Sequence, residues 1–336
     1  MKLLKTIIVG VLFLAALGVK AGTLEDVRER GFVSCGVSDG LTGFSQKNDK
    51  GVWSGLDVDV CRAVAAAVFS DADKVAYKPL TAKERFVALQ SNEVDLLSRN
   101  TTWTLTRDVA MGLKFAGINY YDGQGFLVSQ ELGVSSAFEL DGASFCVQAG
   151  STSEVGIEIF FNNNNMTYKR RIFDKSSDVR DGLDKGMCDV ISSDQSQLYS
   201  FRTGLMNPES FVVLPEVISK EPLGPVVRQG DDTWFNIVRW SLVAMIEAEF
   251  LGITSLNVDI LRKSGELGQK RLLGSEGELS TNSSLSADWA YNIIKQVGNY
   301  SESFERNVGS ESTLKIARGL NAQWNAGGIL YSPPIL

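Results

Sequence analysis

An α/β fold in two lobes is the class this chain predicts, and three observations carry it. Strand-like and helix-like segments alternate from Thr23 onward, the series starts afresh midway, and 336 residues exceed what one hydrophobic core usually organises. The first series opens with a strand over 32–37, where Phe32, Val33, Cys35 and Val37 form an apolar run. A helix over 56–69 follows, with Val60, Val64, Ala67 and Val68 on one face. Next come a strand over 74–79, a helix over 82–90 with Phe86 and Leu89 inward, a strand over 94–98, a short helix over 106–113 and a strand over 125–128.

The second series has strands over 144–148, 169–173 and 189–192, with helices over 153–161 and 177–185 between them. After a strand over 212–214, the segment 216–227 carries Pro222, Gly224 and Pro225 and reads as a connector returning to the first lobe. The rest is helical. Asp231 caps a long amphipathic helix bearing Trp234, Ile237, Val238, Met245 and Ile246, which stops near Gly252. Two more helices are expected, around 287–296 and 313–324.

The N-terminus reads as a secretion signal. Lys2 and Lys5 precede an apolar run over 7–19, and Val19 and Ala21 are the small residues a signal peptidase accepts, so cleavage is expected after Ala21. A 13-residue run is too short to cross a hydrocarbon core of about 30 Å. No twin Arg is present, which points to the general secretory route, and the first cysteine is Cys35, too late for a lipid anchor at the cleavage site. The chain carries −7, and removing the three Lys of the leader makes it more acidic still, which argues against a nucleic-acid partner.

Histidine is absent. That excludes Ser-His-Asp and Cys-His catalysis, disfavours zinc, and leaves no metal or other cofactor expected. Export places Cys35, Cys61, Cys146 and Cys188 in an oxidising compartment, where four cysteines allow three pairings. Local pairing, Cys35–Cys61 and Cys146–Cys188, would give each half of the chain one bridge worth about 3–4 kcal/mol by chain entropy. Four buried thiols are the alternative.

Three segments carry chemical information. Gly55-Leu56-Asp57-Val58-Asp59-Val60 leads into the helix over 56–69, with both acids in its first turn where the dipole favours them. In Asp95-Leu96-Leu97-Ser98-Arg99-Asn100-Thr101-Thr102-Trp103-Thr104-Leu105-Thr106-Arg107 a buried strand ends in small polar residues and a helix begins with Arg. Gln148-Ala149-Gly150-Ser151-Thr152-Ser153 runs a strand into a helix N-terminus able to offer N–H groups to an anion, and Ser192-Ser193-Asp194-Gln195 ends another strand with an acid. Taken alone, these are a capped helix, a surface Arg, a cap and a solvated loop acid.

Together they resemble the polar-amino-acid solute-binding proteins of ABC importers, over roughly residues 23–240. The segments 98–104, 119–125 and 220–225, with the helical tail beyond Phe250, look closest to the general L-amino-acid-binding proteins of Gram-negative bacteria. The resemblance implies the type II periplasmic binding protein fold, two lobes joined by two crossing strands. The first would comprise residues 22–121 and 224–336, the second 122–223.

It also implies a ligand set. Arg107 binds the α-carboxylate through its planar fork, Thr152 adds its N–H and hydroxyl, Asp194 takes the ammonium, and Asn100 and Thr102 support both groups. Ser151, Trp103 and Asp39 complete the candidates. The aromatic that roofs the ligand side chain in smaller members is missing after Asp39, where the chain reads Gly40-Leu41-Thr42-Gly43. Trp103, Phe86 and Tyr121 are candidates to enclose it. The implied function is capture of free L-amino acids of broad range and delivery to an inner-membrane ABC permease with a cytoplasmic ATPase, by a monomer that does no chemistry. A cyclic amino-acid dehydratase on the same fold and an amino-acid sensor are the rival readings.

Overall fold

The computed structural model describes residues 22–277 and 284–335, so the expected leader and its cleavage site lie outside the described residues. Two five-stranded sheets organise the chain. The first runs, in spatial order, Val75–Leu80, Val33–Ser38, Leu96–Leu97, Val226–Arg228 and Leu113–Phe115. Its first three strands are parallel, and Val226–Arg228 is antiparallel to both of its neighbours. The second has the order Lys169–Phe173, Ser144–Gln148, Val190–Asp194, Gln124–Ser129 and Phe211–Val213, again with three parallel strands followed by antiparallel ones. The inner strands Val33–Ser38, Ser144–Gln148 and Val190–Asp194 are largely buried and read as apolar runs, which is why the sequence located them to within two residues, while the edge strands Val75–Leu80 and Lys169–Phe173 are more exposed.

Between the sheets the chain crosses twice. Tyr120–Asp122 and Glu221–Leu223 pair antiparallel, with Glu221 opposite Asp122 and Leu223 opposite Tyr120. This ribbon joins two lobes, each a sheet flanked by helices. Cys35 is bonded to Cys61, tying the strand Val33–Ser38 of the first sheet to the helix Leu56–Phe69, and Cys146 is bonded to Cys188, tying the strand Ser144–Gln148 to the segment that leads into Val190–Asp194.

The long C-terminal segment packs on the first lobe, and buried polar groups fix it there. Asp59, in the first turn of Leu56–Phe69, accepts from Ser303 Oγ (2.6 Å), Arg306 Nη2 (2.6 Å) and Asn307 Nδ2 (2.7 Å). Those three residues lie on the helix Tyr300–Asn307, which opens with an Asn299 capping box that the sequence reading passed over. The expected helix over 313–324 does not form. Lys315 and Gly319 sit at φ 51° and 49°, left-handed values that end any α-helix, and only short 3-10 turns at Gly319–Asn321 and Trp324–Ala326 remain. The expected helix over 106–113 shrinks to one π turn at Thr106–Ala110. Gly112 at φ 63° then releases the chain into the edge strand Leu113–Phe115.

Candidate ligand-binding site

Two loops on the first lobe and two strand ends on the second face one another. The first loop leaves the strand Leu96–Leu97 and is held by Asp57. One Asp57 carboxylate oxygen accepts from Ser98 Oγ (3.1 Å) and Asn119 Nδ2 (3.0 Å), the other from the Asn100 N–H (2.9 Å). Burial pushes the Asp57 carboxyl up, and these three donors pull it back toward the ionised form. The acid whose sequence context suggested only a helix dipole role therefore also positions this loop. Gly55, before it, has φ 134°, and a Cβ there would meet the Phe44 carbonyl oxygen at 2.1 Å, so glycine is required.

On the second lobe, buried Gln124 does the equivalent work. Its Nε2 donates to the Ser153 carbonyl (3.0 Å) and to Ser192 Oγ (2.8 Å), locking the start of the helix Ser153–Asn163 to the strand Val190–Asp194. Ser151 Oγ closes the turn by donating to the Gln148 carbonyl (2.7 Å). Gly150, at φ 76°, would place a Cβ 3.2 Å from Lys83 Cα of the opposite lobe, so a side chain there would be strained in backbone and pressed against the facing wall.

A narrow, polar cavity lies between these parts. Its walls include Arg85, Arg99, Asn100 and Thr102 from the first lobe and Ser151, Thr152 and Asp194 from the second. Thr102 Oγ1 and Thr152 Oγ1 are 3.4 Å apart across it, and Thr152 Oγ1 also donates to Glu221 Oε2 (2.9 Å) on the joining ribbon. Asp194 is buried at the end of its strand and accepts from Gln197 Nε2 (3.0 Å). Burial, Asp122 and Glu221 drive its carboxyl well above the usual range, against the pull of Arg85 and Arg107. Asp122 is pushed to about 6, chiefly by burial.

Arg107 stands just behind the wall. Its Nη1 donates to the Thr102 carbonyl (2.9 Å), and its guanidinium lies 5.2 Å from the Phe86 ring centre. Burial lowers its pKa while Glu221 and Asp194 raise it. Among the described residues neither Arg85, Arg99 nor Arg107 makes an ion pair with a carboxylate. Arg99 Nε donates to the Leu80 carbonyl (2.8 Å), and burial brings its pKa down to about 10.

Of the sequence candidates, Asn100, Thr102, Ser151, Thr152 and Asp194 converge on the cavity, with Arg107 adjoining. Two do not line it. Trp103 stacks on Phe115 (ring centres 5.5 Å apart, planes 5° apart) and donates Nε1 to Asp108, because the Thr102 side chain, not the next one along, turns inward. Asp39 accepts from Ser176 Oγ (2.5 Å), a contact that links the lobes beside the cavity. Tyr121 is not in the cavity lining, and its backbone N–H and carbonyl both bond the Asn321 side chain (2.7 and 3.0 Å). Sequence reasoning missed Arg85 and Glu221. Arg85 follows Lys83-Glu84 and looks like an ordinary charged helix start, with no local signal that it is buried. Among the described residues no acidic or cysteine cluster is spaced to hold a metal ion.

Comparison with known proteins places this geometry. Residues 33–253 match the bacterial extracellular solute-binding proteins, family 3. The chain belongs to this family. The general L-amino acid-binding periplasmic protein AapJ of Rhizobium johnstonii is 55% identical to this family 3 protein over 97% of this chain and 96% of AapJ. The glutamate/glutamine/aspartate/asparagine-binding protein BztA of Rhodobacter capsulatus is 49% identical over 98% and 99%. A Brucella ovis periplasmic binding protein, solved with glutathione bound, superposes with a TM-score of 0.92 at 54% identity, covering 94% of this chain and all of that one. The relatives are binding proteins, AapJ by name a periplasmic one, and among the described residues no helix is long and apolar enough to cross a membrane.

Proposed function

We propose that this solute-binding protein captures free L-amino acids between its lobes and delivers them to an inner-membrane ABC permease driven by a cytoplasmic ATPase. One observation carries the reading: the cleft opposes buried guanidiniums on the first lobe to a buried carboxylate, Asp194, on the second. A zwitterion completes that arrangement. Its carboxylate joins Arg107 to Thr152, its ammonium reaches Asp194, and both sets of contacts exist only when the lobes are together, so the ligand favours closure by differential contact. The domain division follows the joining ribbon, 22–121 with 224–336 against 122–223. The names of AapJ and BztA support amino acids of broad range, and glutathione, bound in the Brucella protein, has a free amino-acid end of the same chemistry.

In this reading the chain is exported, cleaved after Ala21 and monomeric, and it turns nothing over. Calorimetry with a panel of L-amino acids, their D-enantiomers and glutathione tests it: L-amino acids bind, and D-enantiomers bind much less well because inverting Cα misplaces the ammonium. Mass spectrometry of the mixtures finds the ligands unchanged, and a new product would instead establish an enzyme. N-terminal sequencing of periplasmic material should begin at Gly22, and light scattering should give the monomer mass.

A further inference from the structure

Arg85 and Asn100 present buried polar atoms to the cleft that nothing in the protein satisfies. Arg85 is 3% exposed, yet its Nε has no hydrogen-bond partner. Its other nitrogens reach only Thr101 Oγ1 at 3.4 Å and the Gly150 carbonyl at 3.5 Å, both at the long limit of a hydrogen bond. Asn100 is held at φ 41° with its N–H on Asp57, and neither its Oδ1 nor its Nδ2 has a partner although the residue is 5% exposed. Both line the same cavity wall. Burying unpaired polar atoms is costly, so several on one wall call for a partner that enters from outside.

The backbone of a bound amino acid is already addressed by Arg107, Thr152 and Asp194 under the function proposed above. What remains is the ligand's side chain. We propose that Arg85 and Asn100 form a side-chain subsite that takes the terminal carboxylate or amide of an acidic or amide L-amino acid. The inference rests on the amino-acid-binding reading and assigns the part of the ligand which that reading left open. A carboxylate can meet the Arg85 fork and the Asn100 NH₂ together. An amide places its oxygen on Arg85 and its nitrogen on Asn100 Oδ1, so the pair accepts both groups. An aliphatic side chain leaves these atoms unpaired, and a cationic one meets Arg85 head-on.

The test is calorimetry of glutamate, glutamine, leucine and lysine with the wild type, Arg85→Gln, Arg85→Lys and Asn100→Gly, the last chosen because glycine keeps the left-handed backbone. Wild type should prefer glutamate to leucine by about tenfold or more, the scale of a charge-assisted hydrogen bond, with lysine weakest. Arg85→Gln should lose glutamate affinity about tenfold more than leucine affinity, Arg85→Lys should fall between, and Asn100→Gly should weaken glutamine more than leucine. Equal losses for all four ligands in Arg85→Gln would make Arg85 a backbone-carboxylate or structural residue and overturn the subsite. Lysine binding the wild type as tightly as glutamate would overturn it too. If circular dichroism finds Arg85→Gln unfolded, the wild-type ranking and Arg85→Lys decide. A wild type that binds all four equally defeats the subsite alone, whereas one that binds none defeats the amino-acid reading beneath it.

Discussion

The two sides of the cleft are built alike and charged oppositely. Each is a five-stranded sheet with three parallel strands, and each uses one buried side chain to brace the loop at the cleft, Asp57 on the first lobe and Gln124 on the second. The first lobe then buries three guanidiniums at the cleft, none of them in an ion pair among the described residues, while the second lobe and the joining ribbon bury Asp194 and Glu221, with Asp122 half-buried beside them. Similar scaffolds thus bring opposite charges to the cleft. The shared fold sets where the two walls meet, and a few buried charged residues on each wall set the chemistry between them.

The largest test of that symmetry concerns the scaffolds. Each lobe has its own disulfide, with separations of 26 and 42 residues. Removing either pair by Cys→Ser substitution should cost about 3–4 kcal/mol in denaturant unfolding, and the loss should be similar for the two lobes. Peptide mapping of the native protein should find only the two local links.

The charge asymmetry is tested next. Arg107→Ala and Asp194→Ala should each weaken L-amino-acid binding by about 1.5–3 kcal/mol in calorimetry, one from each side, with the fold intact by circular dichroism. Near-normal affinity in either variant would remove that residue from the site and break the opposed-charge picture.

A smaller effect separates the lobes. Among the described residues the C-terminal segment packs on the first lobe through Asp59, and Asn321 adds two hydrogen bonds to the Tyr121 backbone on the joining ribbon. Asn321→Ala should cost about 1–2 kcal/mol of stability and should alter ligand affinity less than either charge deletion does.

The last prediction concerns the sign of a pH trend. Asp122 and Asp194 have raised pKa values in the folded protein, Asp122 about 6. A raised acid binds more protons folded than unfolded, so its contribution to stability grows as pH falls through the folded value. Ligand-free Tm should therefore rise from pH 7 to pH 5 through these groups. Carboxyls with lowered values, such as Glu93 and Asp189, oppose this only at lower pH, below the ordinary carboxylate range. Ammonium capture needs Asp194 ionised, so the ligand-induced rise in Tm should shrink over the same interval. Parallel trends would mean that the acids do not face the ligand, and Asp122→Asn should flatten the ligand-free slope.

Much of this protein was written in local sequence. Apolar runs and their spacing marked the strands and the helix Leu56–Phe69, because a strand buried on both faces and a helix with one buried face leave a periodic trace. One cysteine pair in each half made local bridges the natural pairing, and the segments around Arg107, Thr152 and Asp194 resembled a known ligand set closely enough to name those residues. Tertiary structure alone decided the rest. It turned Trp103 onto Phe115, set Asp39 on Ser176 of the other lobe, brought Asn321 to Tyr121 across 200 residues, and buried Arg85 in the cleft wall. Periodicity registers only what a residue does within a few turns of its own element. Whether a charge is desolvated, and which charge it then faces, depends on segments brought together from far along the chain, and those contacts leave no mark on the residues beside it.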